Sequence, residues 1–429
     1  MNLRRILLLT AYIFLLLIGG FYSFTFTSCQ NAIKSDSTNV PLGTVISGKV
    51  YDNRGFPFKD VKVHSSATNF TTSLGDGSFV LTNISYPVTL FLKRDVDSTP
   101  NVYIGLNANN PQLTYNTYGD NSNFNSGEFR VSYPAVPPGR GLLLKFTSED
   151  AIDFNYIYTD SDSISARVPL TWQGDKSTVL GKLILITYSR NSVNRIDSFK
   201  TYAEKTIYVD ANRIIDARFT ASDLSVPDRG VVNVRNGNFS TTCDVNAYFS
   251  LAGNTNSDMF LEHLNRVGEF DFNVPKVFTS NRIRISTHAP YEDDAYIENT
   301  VFTQENSIVT LNGINKIGFA VPALNAADVD STTLFKVIPN STPIGIFLYS
   351  FEPTDNFFKK VWIYTTAEQF TYPDLSQYGY NLARNKNYKW SVQKIAPFGN
   401  LDDYFSASSN KLIRNYNIQA NSSYFTTLP

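Results

Sequence analysis

The sequence predicts an all-β fold built from tandem β-sandwiches behind a signal peptide. Aromatic residues favour this fold, because 25 tyrosines and 32 phenylalanines far outnumber the 2 methionines and 3 histidines, and aromatic side chains suit half-buried pleated surfaces. Short alternating strands, such as residues 142–146, 182–188 and 282–286, recur between turns rich in Gly, Pro, Asn and Asp. A long amphipathic helical pattern is hard to find.

Charge is nearly balanced along the 429-residue chain, with 37 basic and 38 acidic residues and a net charge of -1. No block of like charge occurs. Proteins that bind nucleic acid usually carry a basic patch or stripe, so no nucleic acid partner is expected. At roughly 100 to 200 residues per domain, the length allows about three or four domains.

The N-terminus has the layout of an export signal. Arg4 and Arg5 precede an apolar run over residues 6–18, and small residues follow up to Ser28. A basic end, an apolar middle and small residues before a cleavage site are typical of signal peptides. We therefore assign residues 1–28 to a signal peptide, outside the fold.

The stretch Phe26-Thr27-Ser28-Cys29 resembles the lipobox of bacterial lipoproteins. The resemblance implies that Cys29 receives a diacylglycerol and becomes the first residue of the mature protein. It also implies an exported protein, lipid-anchored at the outer membrane or cell surface of a Gram-negative bacterium. The polar residues 29–43 would then form a flexible tether.

Two other interpretations of this segment stay open. An uncleaved apolar segment of about 20 residues is long enough to span a bilayer, and a plain signal peptide followed by an incidental cysteine also agrees with the pattern. The chain has 2 cysteines. If Cys29 is acylated, Cys243 has no disulfide partner, so we expect Cys243 to be a small buried hydrophobic residue.

Residues 44–95 contain the clearest strand pattern. We expect a strand over residues 45–52 and then a turn at Gly55 and Pro57, because glycine and proline mark turns for backbone reasons. A second turn is expected at residues 76–77, where glycine supplies the positive φ of a tight hairpin. That hairpin would join a strand over residues 71–73 to one over residues 79–81.

This arrangement of turns and strands resembles the carboxypeptidase regulatory-like, transthyretin-like module. The resemblance implies a non-catalytic β-sandwich over residues 44–95 that serves as a spacer or interaction module. Its matching positions are expected to be structural, and they are Gly55, Pro57, Asp76, Gly77 and Phe79.

Residues 334–429 resemble a fibronectin type III domain near their C-terminal end. In that family a leucine stands six residues before a tyrosine, and Leu382 and Tyr388 hold those positions. Trp390 continues the alternation toward the core. The resemblance implies that Tyr388 forms a tyrosine corner, in which its hydroxyl bonds to the backbone a few residues upstream.

The middle of the chain contains further alternating strands without a family resemblance. We expect two immunoglobulin-like β-sandwiches, over residues 96–225 and 226–333, and a single larger β-domain is the alternative. The predicted fold is therefore all-β, with tandem immunoglobulin-like and transthyretin-like β-sandwiches.

Signatures of catalysis are missing from the sequence. The chain has no GxSxG, no phosphate-binding glycine loop ending in Lys-Ser or Lys-Thr, and no HExxH. Its 3 histidines are far apart, whereas zinc sites need several close ligands. We therefore expect a protein that is not an enzyme.

Two loops rich in acidic and amide side chains are the candidates for a metal site. Calcium binds oxygen ligands at alternate positions of such loops, and no other cofactor is expected. Solvated loops without metal are the alternative. The candidate ligands are Asp120, Asn123, Asn125, Asp293 and Asp294.

The sequence thus predicts an envelope or cell-surface protein that acts in binding or adhesion, or as an accessory scaffold. The expected partners are the membrane, a glycan or protein ligand, and an outer-membrane protein. Aromatic residues beside polar ones, in residues 245–250 and 401–406, are candidates for stacking on sugars, and core packing is their alternative use. The rival function is a carbohydrate-active or peptide-processing hydrolase, with opposed carboxylates about 5 to 9 Å apart in residues 96–333.

Overall fold

The fold is all-β, as the sequence predicts, and it is arranged as tandem β-sandwiches. The computed structural model describes residues 45–53, 55, 57–96, 99–116, 124–148, 153–154, 156–159, 164–173, 176–236, 243–250, 258–276, 282–291, 294–311, 316–338, 344–355, 359–408 and 415–429. Cys29, the predicted signal peptide and the predicted tether lie outside these residues. Within the described ranges, no helix is both long enough and apolar enough to cross a membrane.

The first sandwich forms because its strands bury alternate side chains. Its strands are β1 (Val45–Asp52), β2 (Lys62–His64), β3 (Phe70–Thr72), β4 (Ser78–Thr82), β5 (Val88–Lys93), β6 (Asn101–Leu106) and β7 (Gln112–Tyr115). In β1, Ile46 and Val50 face the core, whereas Val45 and Lys49 are exposed. One sheet has the order β4-β1-β7, and the facing sheet has the order β3-β2-β5-β6.

The turn at Asp76 and Gly77 is present, but the hairpin predicted around it is wrong. Gly77 has a φ of +76° and donates its N–H to the carbonyl of Leu74 at 2.9 Å. The strands on either side do not pair with each other, because β3 pairs with β2 and β4 pairs with β1. The chain therefore crosses from one sheet to the other at this turn, because β3 belongs to the sheet of β2 and β4 belongs to the sheet of β1.

The second sandwich packs two sheets around Phe129, Phe146 and Trp172. Its strands are β8 (Phe124–Ser132), β9 (Arg140–Thr147), β10 (Asp153–Phe154), β11 (Tyr156–Thr159), β12 (Ser165–Gln173), β13 (Thr178–Arg190), β14 (Ile196–Asp210) and β15 (Ile214–Arg218). The sheet orders are β10-β12-β8-β15 and β11-β9-β13-β14. A short 3-10 helix (Ala221–Asp223) follows.

The third sandwich contains the buried cysteine. Its strands are β16 (Asp228–Asn236), β17 (Asp244–Ser250), β18 (Met259–Asn265), β19 (Gly268–Lys276), β20 (Arg282–Pro290), β21 (Tyr296–Thr303) and β22 (Ser307–Thr310). The sheet β19-β16-β22 faces the strands β18-β17-β20-β21. Cys243 is fully buried in the core between them, as predicted, and burial raises the pKa of its thiol to about 11.

The fourth sandwich is built around Phe335, Phe351 and Trp390. Its strands are β23 (Gly318–Val321), β24 (Ala326–Val329), β25 (Leu334–Ile338), β26 (Ile346–Pro353), β27 (Val361–Thr365), β28 (Gln369–Thr371), β29 (Asn387–Ala396) and β30 (Tyr416–Thr427). The sheet β23-β25-β28 faces the strands β27-β26-β29-β30, and β24 pairs with β30 in parallel. A 3-10 helix (Ser376–Tyr378) precedes β29.

An α-helix that the sequence pattern does not predict, α1 (Leu401–Ser408), lies between β29 and β30. Leu401 and Phe405 stand one helical turn apart, and each is only 1% exposed because both pack into the core of the first sandwich. The side-chain oxygen of Asn400 accepts the N–H of Asp403 at 2.7 Å and so caps the first turn. Two helical turns are too short for a 3.6-residue period to stand out.

Three of the sandwiches share one 13-stranded sheet. β6 of the first pairs in parallel with β27 of the fourth, where Asn101 stands opposite Trp362. β21 of the third pairs antiparallel with β30 of the fourth, where Tyr296 stands opposite Ala420. Unpaired strand edges invite further pairing, and here they join neighbouring sandwiches. The sandwiches are therefore side by side along one sheet, not a string of separate units.

Strand pairing crosses the boundaries predicted at residues 95 and 333. The division of the chain into domains remains a prediction. β6 and β7 follow residue 95 and pair with β5 and β1. β23 and β24 precede residue 334 and pair with β25 and β30. Residues 101–115 and 318–329 therefore contribute strands to the first and fourth sandwiches.

The second and third sandwiches pack directly against each other. Leu143 and Tyr188, from the outer face of the second, belong to the core of the third. At the edge of this contact, the carboxylate of Glu262 accepts hydrogen bonds from Arg195 Nε at 3.3 Å and from the backbone N–H of Ile196 at 3.1 Å. The contact thus combines apolar burial with a hydrogen-bonded ion pair.

Candidate binding site on the shared sheet

The structural residues predicted in the first sandwich occupy turns and the core. Gly55 has a φ of +85°, and Pro57 forms an isolated bridge with Tyr51. The carboxylate of Asp76 accepts the backbone N–H of the second residue after it at 3.0 Å, which fixes the turn. Phe79 is 2% exposed. These side chains support the fold, and the structure does not bring them together around a cavity.

The residues predicted near the C-terminus also have structural positions. Trp390 is fully buried, and Leu382 packs against the same core. The hydroxyl of Tyr388 accepts the backbone N–H of Ala383 at 2.9 Å. This bond joins the tyrosine to the backbone a few residues upstream, as the resemblance to fibronectin type III domains implies, and membership of that family stays a prediction.

The calcium candidates are not gathered in one place within the described residues. Asn125 donates its amide to the carbonyl of Lys176 at 3.2 Å, and Asp294 accepts a hydrogen bond from Lys389. No group of 3 or more His, Cys, Asp or Glu side chains in the described part of the chain is placed to hold a metal ion. Calcium binding stays a prediction, because three candidates lie outside the described residues: Asp120, Asn123 and Asp293.

The aromatic motifs proposed for sugar stacking mostly serve the core. Phe249 and Phe405 are 2% and 1% exposed. The ring of Tyr248 is covered by the guanidinium of Arg284, whose carbon lies 3.8 Å from the ring centroid. Phe249 and Phe405 are therefore core residues, and one face of the Tyr248 ring is already occupied.

A row of small hydroxyl side chains crosses the middle of the shared sheet. Ser350 of β26 stands opposite Ser391 of β29, which stands opposite Ser422 of β30. On the other side, Ser350 stands opposite Trp362 of β27. Neighbouring strands are about 4.8 Å apart, so the row from Trp362 to Ser422 extends about 14 Å. We name the row, with the cavity of about 210 Å³ above it, the serine trough.

Alternation along the strands places the trough on the outer face of the fourth sandwich. In β29, Trp390 and Val392 point to the core of this sandwich, so Ser391 between them points to the opposite face. Farther along the same face, Ile346 and Ile395 belong to the core of the first sandwich. The trough is the part of this face that the first sandwich leaves uncovered.

One wall of the trough combines an indole with an ion pair. The Nζ atom of Lys360 lies 4.3 Å from the centroid of the Trp362 ring, within the range of a cation–π contact. The same ammonium lies 3.2 Å from the carboxylate of Glu352. Trp362 is therefore held from one side while it remains partly exposed to the trough.

The opposite wall is polar, and its side chains are also held by contacts with one another. Gln393 donates its amide to the hydroxyl of Tyr296 at 2.9 Å, and Lys389 pairs with Asp294 at 2.5 Å. Burial opposes the charge of Lys389, but the hydrogen bond and charge of Asp294 hold the pKa of Lys389 above its ordinary value. Burial, reinforced by the charge of Glu298, raises the pKa of Tyr296 to about 12. This phenol therefore stays neutral at physiological pH.

Several polar groups of the trough have no hydrogen-bond partner among the described residues. Neither Ser350 nor Ser391 forms a side-chain hydrogen bond with another described residue, and both line the cavity. The indole Nε1 of Trp362 is buried and has no hydrogen-bond partner among the described residues. A buried donor without a partner is unfavourable. The trough thus offers two hydroxyl groups and an indole ring in a fixed arrangement.

Charge in the trough is balanced pair by pair. The ammonium groups of Lys360 and Lys389 are each matched by a carboxylate, from Glu352 and Asp294. A charged ligand would have to compete with these ion pairs. The arrangement therefore suits an uncharged, hydroxyl-rich ligand better than a polyanion.

Sequence reasoning did not find the serine trough. Its residues come from β21, β26, β27, β29 and β30 and from the positions just before β21 and β27, and sheet register brings them together. One local signal exists, since Ser350 interrupts the otherwise apolar run of residues 346–351. A lone hydroxyl in such a strand indicates a face that is not fully covered by apolar partners.

Among the described residues, no pair of carboxylates of the kind that hydrolases use lines the serine trough or either of two further cavities. Asp294 is the carboxylate that lines the serine trough, and Asp355 lines a second cavity at the end of the fourth sandwich. A third cavity, beside the loop of residues 133–137, is lined by no carboxylate. The absence of enzymatic activity stays a prediction.

Comparison with known proteins does not identify a family. No family model matches the chain, and no curated protein matches it. Among solved structures, the chain is similar to a streptococcal ancillary pilin, with 11% identity over 63% of this chain and 100% of that chain, at a TM-score of 0.14. It is also similar to a marsupial T cell receptor, with 10% identity over 70% of this chain and 92% of that chain, at a TM-score of 0.12. At these TM-scores neither likeness contributes to the functional argument.

Proposed function

We propose that this chain is a lipid-anchored protein of a Gram-negative envelope that binds a glycan in the serine trough, as an adhesion or accessory binding protein without catalytic activity. The lipobox-like stretch ending at Cys29 supports the anchor. An outer-membrane protein is a further proposed partner.

The serine row carries the glycan proposal. Ser350 and Ser391 place hydroxyl groups without partners among the described residues on a floor of short side chains. Each hydroxyl can donate one hydrogen bond and accept two, which suits the hydroxyl groups of a sugar. Trp362, at the end of the row, supplies a partly exposed aromatic ring. A sugar ring with one apolar face and a polar rim matches this combination.

Several saccharide units would lie across the strands, along the row. The length of about 14 Å follows from the spacing of neighbouring strands in a sheet. The paired charges of Lys360 and Lys389 lead us to expect neutral glycans. Because the row runs straight across four neighbouring strands, a linear glycan fits it better than a branched one.

A glycan array probed with the full-length protein in detergent tests this function. We expect binding to a set of neutral glycans and little binding to sulfated ones. Ser391→Ala removes one hydroxyl and Ser391→Leu fills the trough, so the dissociation constant for a hit should rise on the order of tenfold, about 1.4 kcal/mol, or more. Gln369→Leu, at an exposed position of β28 outside the trough, is the matched control and should bind like the wild type.

Two results would overturn the glycan proposal. One is an array without hits, and the other is a hit whose affinity is unchanged in the Ser391→Leu protein. The anchor is tested separately by palmitate labelling in a bacterial host. Labelling should be lost in Cys29→Ser, and labelling that survives this substitution would exclude the lipoprotein assignment.

A further inference from the structure

A second cavity, of about 350 Å³, opens at one end of the fourth sandwich. We name it the end cavity. It lies on the core side of the shared sheet, because Phe351 and Tyr388, which line it, belong to the core of this sandwich. The serine trough lies on the other face. The volume falls within the range of about 300 to 1,000 Å³ that is typical of small-molecule sites.

The walls of the end cavity are aromatic rings with satisfied hydroxyl groups. Tyr372 donates its hydroxyl to the carbonyl of Tyr380 at 2.8 Å, and Tyr388 accepts the N–H of Ala383. The rings of Tyr372 and Phe351 meet edge to face, with centroids 5.1 Å apart. These phenol groups are engaged with backbone, so the aromatic part of the wall offers apolar ring surface beside the polar groups of the rim.

The rim of the end cavity carries hydrogen-bond donors. Lys386 is paired with Asp355 at 2.5 Å, so these charges offset each other. Lys359 also lines the cavity, and it forms no ion pair with the described residues. Asn381 stands at the same rim. The rim therefore offers one ammonium group in excess of its carboxylate, together with a side-chain amide.

We infer that the end cavity binds a carboxylate of amino-acid size with an aromatic or branched apolar group. The apolar group would fill the space between the tyrosine rings, and the carboxylate would accept hydrogen bonds from Lys359 and Asn381. The C-terminal residue of a peptide and a free amino acid both have this chemistry. The aromatic part of the wall matches the apolar group, and the excess ammonium matches the charge of the carboxylate.

Two adjacent lysines allow this site and the serine trough to be tested independently, because each cavity is lined by one of them. Lys359 and Val361 line the end cavity, whereas Lys360 and Trp362 line the trough. Val361 and Trp362 are successive residues of β27, so they point to opposite faces, and the two lysines just before the strand follow the same alternation. Lys359→Gln and Lys360→Gln remove the same charge at neighbouring positions. Each is therefore the control for the other site.

Isothermal titration of the full-length protein with N-acetyl-L-phenylalanine tests the inference. We expect the acid to bind at least tenfold more tightly than N-acetyl-L-phenylalaninamide, because hydrogen bonds to a charged acceptor are stronger than those to a neutral amide. Lys359→Gln should abolish this difference between acid and amide, and Lys360→Gln should preserve it. Titration with L-phenylalanine distinguishes the two ligand classes. A site for peptide C-termini should bind N-acetyl-L-phenylalanine more tightly, and a site for free amino acids should bind L-phenylalanine more tightly.

Three results would overturn the inference. The first is that none of the acids binds to the wild-type protein. The second is equal affinity for acid and amide, and the third is an equal loss in the Lys359→Gln and Lys360→Gln proteins. Asn381→Ala, at an exposed rim position, gives a second variant that does not alter the core and should weaken binding of the acid several-fold.

Discussion

The hydroxyl of Tyr388 accepts the backbone N–H of Ala383 at 2.9 Å, and this bond closes the loop that leads into β29. Tyr388→Phe keeps the ring, which stacks on Phe425 with centroids 5.4 Å apart, and removes the acceptor. We expect the free energy of unfolding to fall by about 1 kcal/mol, measured by chemical denaturation. Tyr424→Phe, at a 41% exposed position, should leave the midpoint unchanged. An equal loss in both variants would contradict this prediction.

The ion pair between the second and third sandwiches gives a larger expected effect. The side chain of Glu262 is 6% exposed, and it lies 3.3 Å from Arg195. Glu262→Ala removes the carboxylate that pairs with the partly buried guanidinium of Arg195 and leaves the N–H of Ile196 without its acceptor, so we expect a loss of about 3 kcal/mol in the free energy of unfolding.

The matched control for Glu262 is another glutamate paired with an arginine in the third sandwich. Glu269 is 57% exposed and lies 3.3 Å from Arg235, so Glu269→Ala should change stability by less than about 0.5 kcal/mol. Denaturation curves of the two variants, recorded together, test the difference. Similar losses would show that burial does not decide the strength of these pairs.

A pH dependence is expected from His64, which packs between the first and fourth sandwiches. Its ring lies 4.8 Å from that of Phe70 and 5.0 Å from that of Tyr378, and neither ring nitrogen has a hydrogen bond of good geometry with the described residues. Burial lowers the pKa of His64, and the nearby charges of Lys93 and Lys62 lower it further, partly offset by Asp95 and by the backbone of Ser66.

The sign of this dependence follows from proton linkage. The unfolded chain binds a proton at His64 near pH 6.5, and the folded chain binds it only at lower pH. The stabilising contribution is thus present above about pH 6.5 and is lost as the pH falls through the lower folded value. Thermal unfolding between pH 7.5 and 5 should show a steeper loss in the wild type than in His64→Leu. His263→Leu, at a 47% exposed position, should retain the steeper loss.

Gly77 is required by the turn between the sheets of the first sandwich. Its φ is +76°, and an added Cβ would collide with the backbone carbonyl of Val50. Gly77→Ala should therefore lower the free energy of unfolding by about 2 kcal/mol or more. Gly75, two residues earlier, has open space around its Cα, so Gly75→Ala should be close to neutral. Comparison of the two denaturation midpoints tests the prediction.

Local pattern was sufficient for the strands and turns of the first sandwich. The strand predicted over residues 45–52 is β1 with the same bounds, because its polarity alternates and a turn follows it. Gly77 takes the positive φ that its residue type favours. Alternation along the strand also placed Trp390 in the core. In these cases the information lies within a few neighbouring residues.

Pairing between distant strands was not predictable in this way. The turn at Gly77 does not show that β3 and β4 enter opposite sheets, and nothing in residues 361–365 indicates that β27 pairs with β6. α1 depends on Leu401 and Phe405 filling the core of the first sandwich, which is a contact with residues hundreds of positions away. The candidate sites share this origin, since Ser350, Ser391 and Trp362 meet only through sheet register.

The sequence by itself determined that the chain forms strands, where several turns fall and which side chains are apolar enough for a core, because backbone preference and side-chain periodicity are local properties. Only the tertiary structure decided which edges pair, and hence that three sandwiches share a sheet with a hydroxyl row on one face and an aromatic cavity on the other. Edges pair through backbone hydrogen bonds, which are the same for every residue type except proline and so do not select a partner. The partner is selected by side-chain packing between distant parts of the chain, which local pattern leaves unspecified.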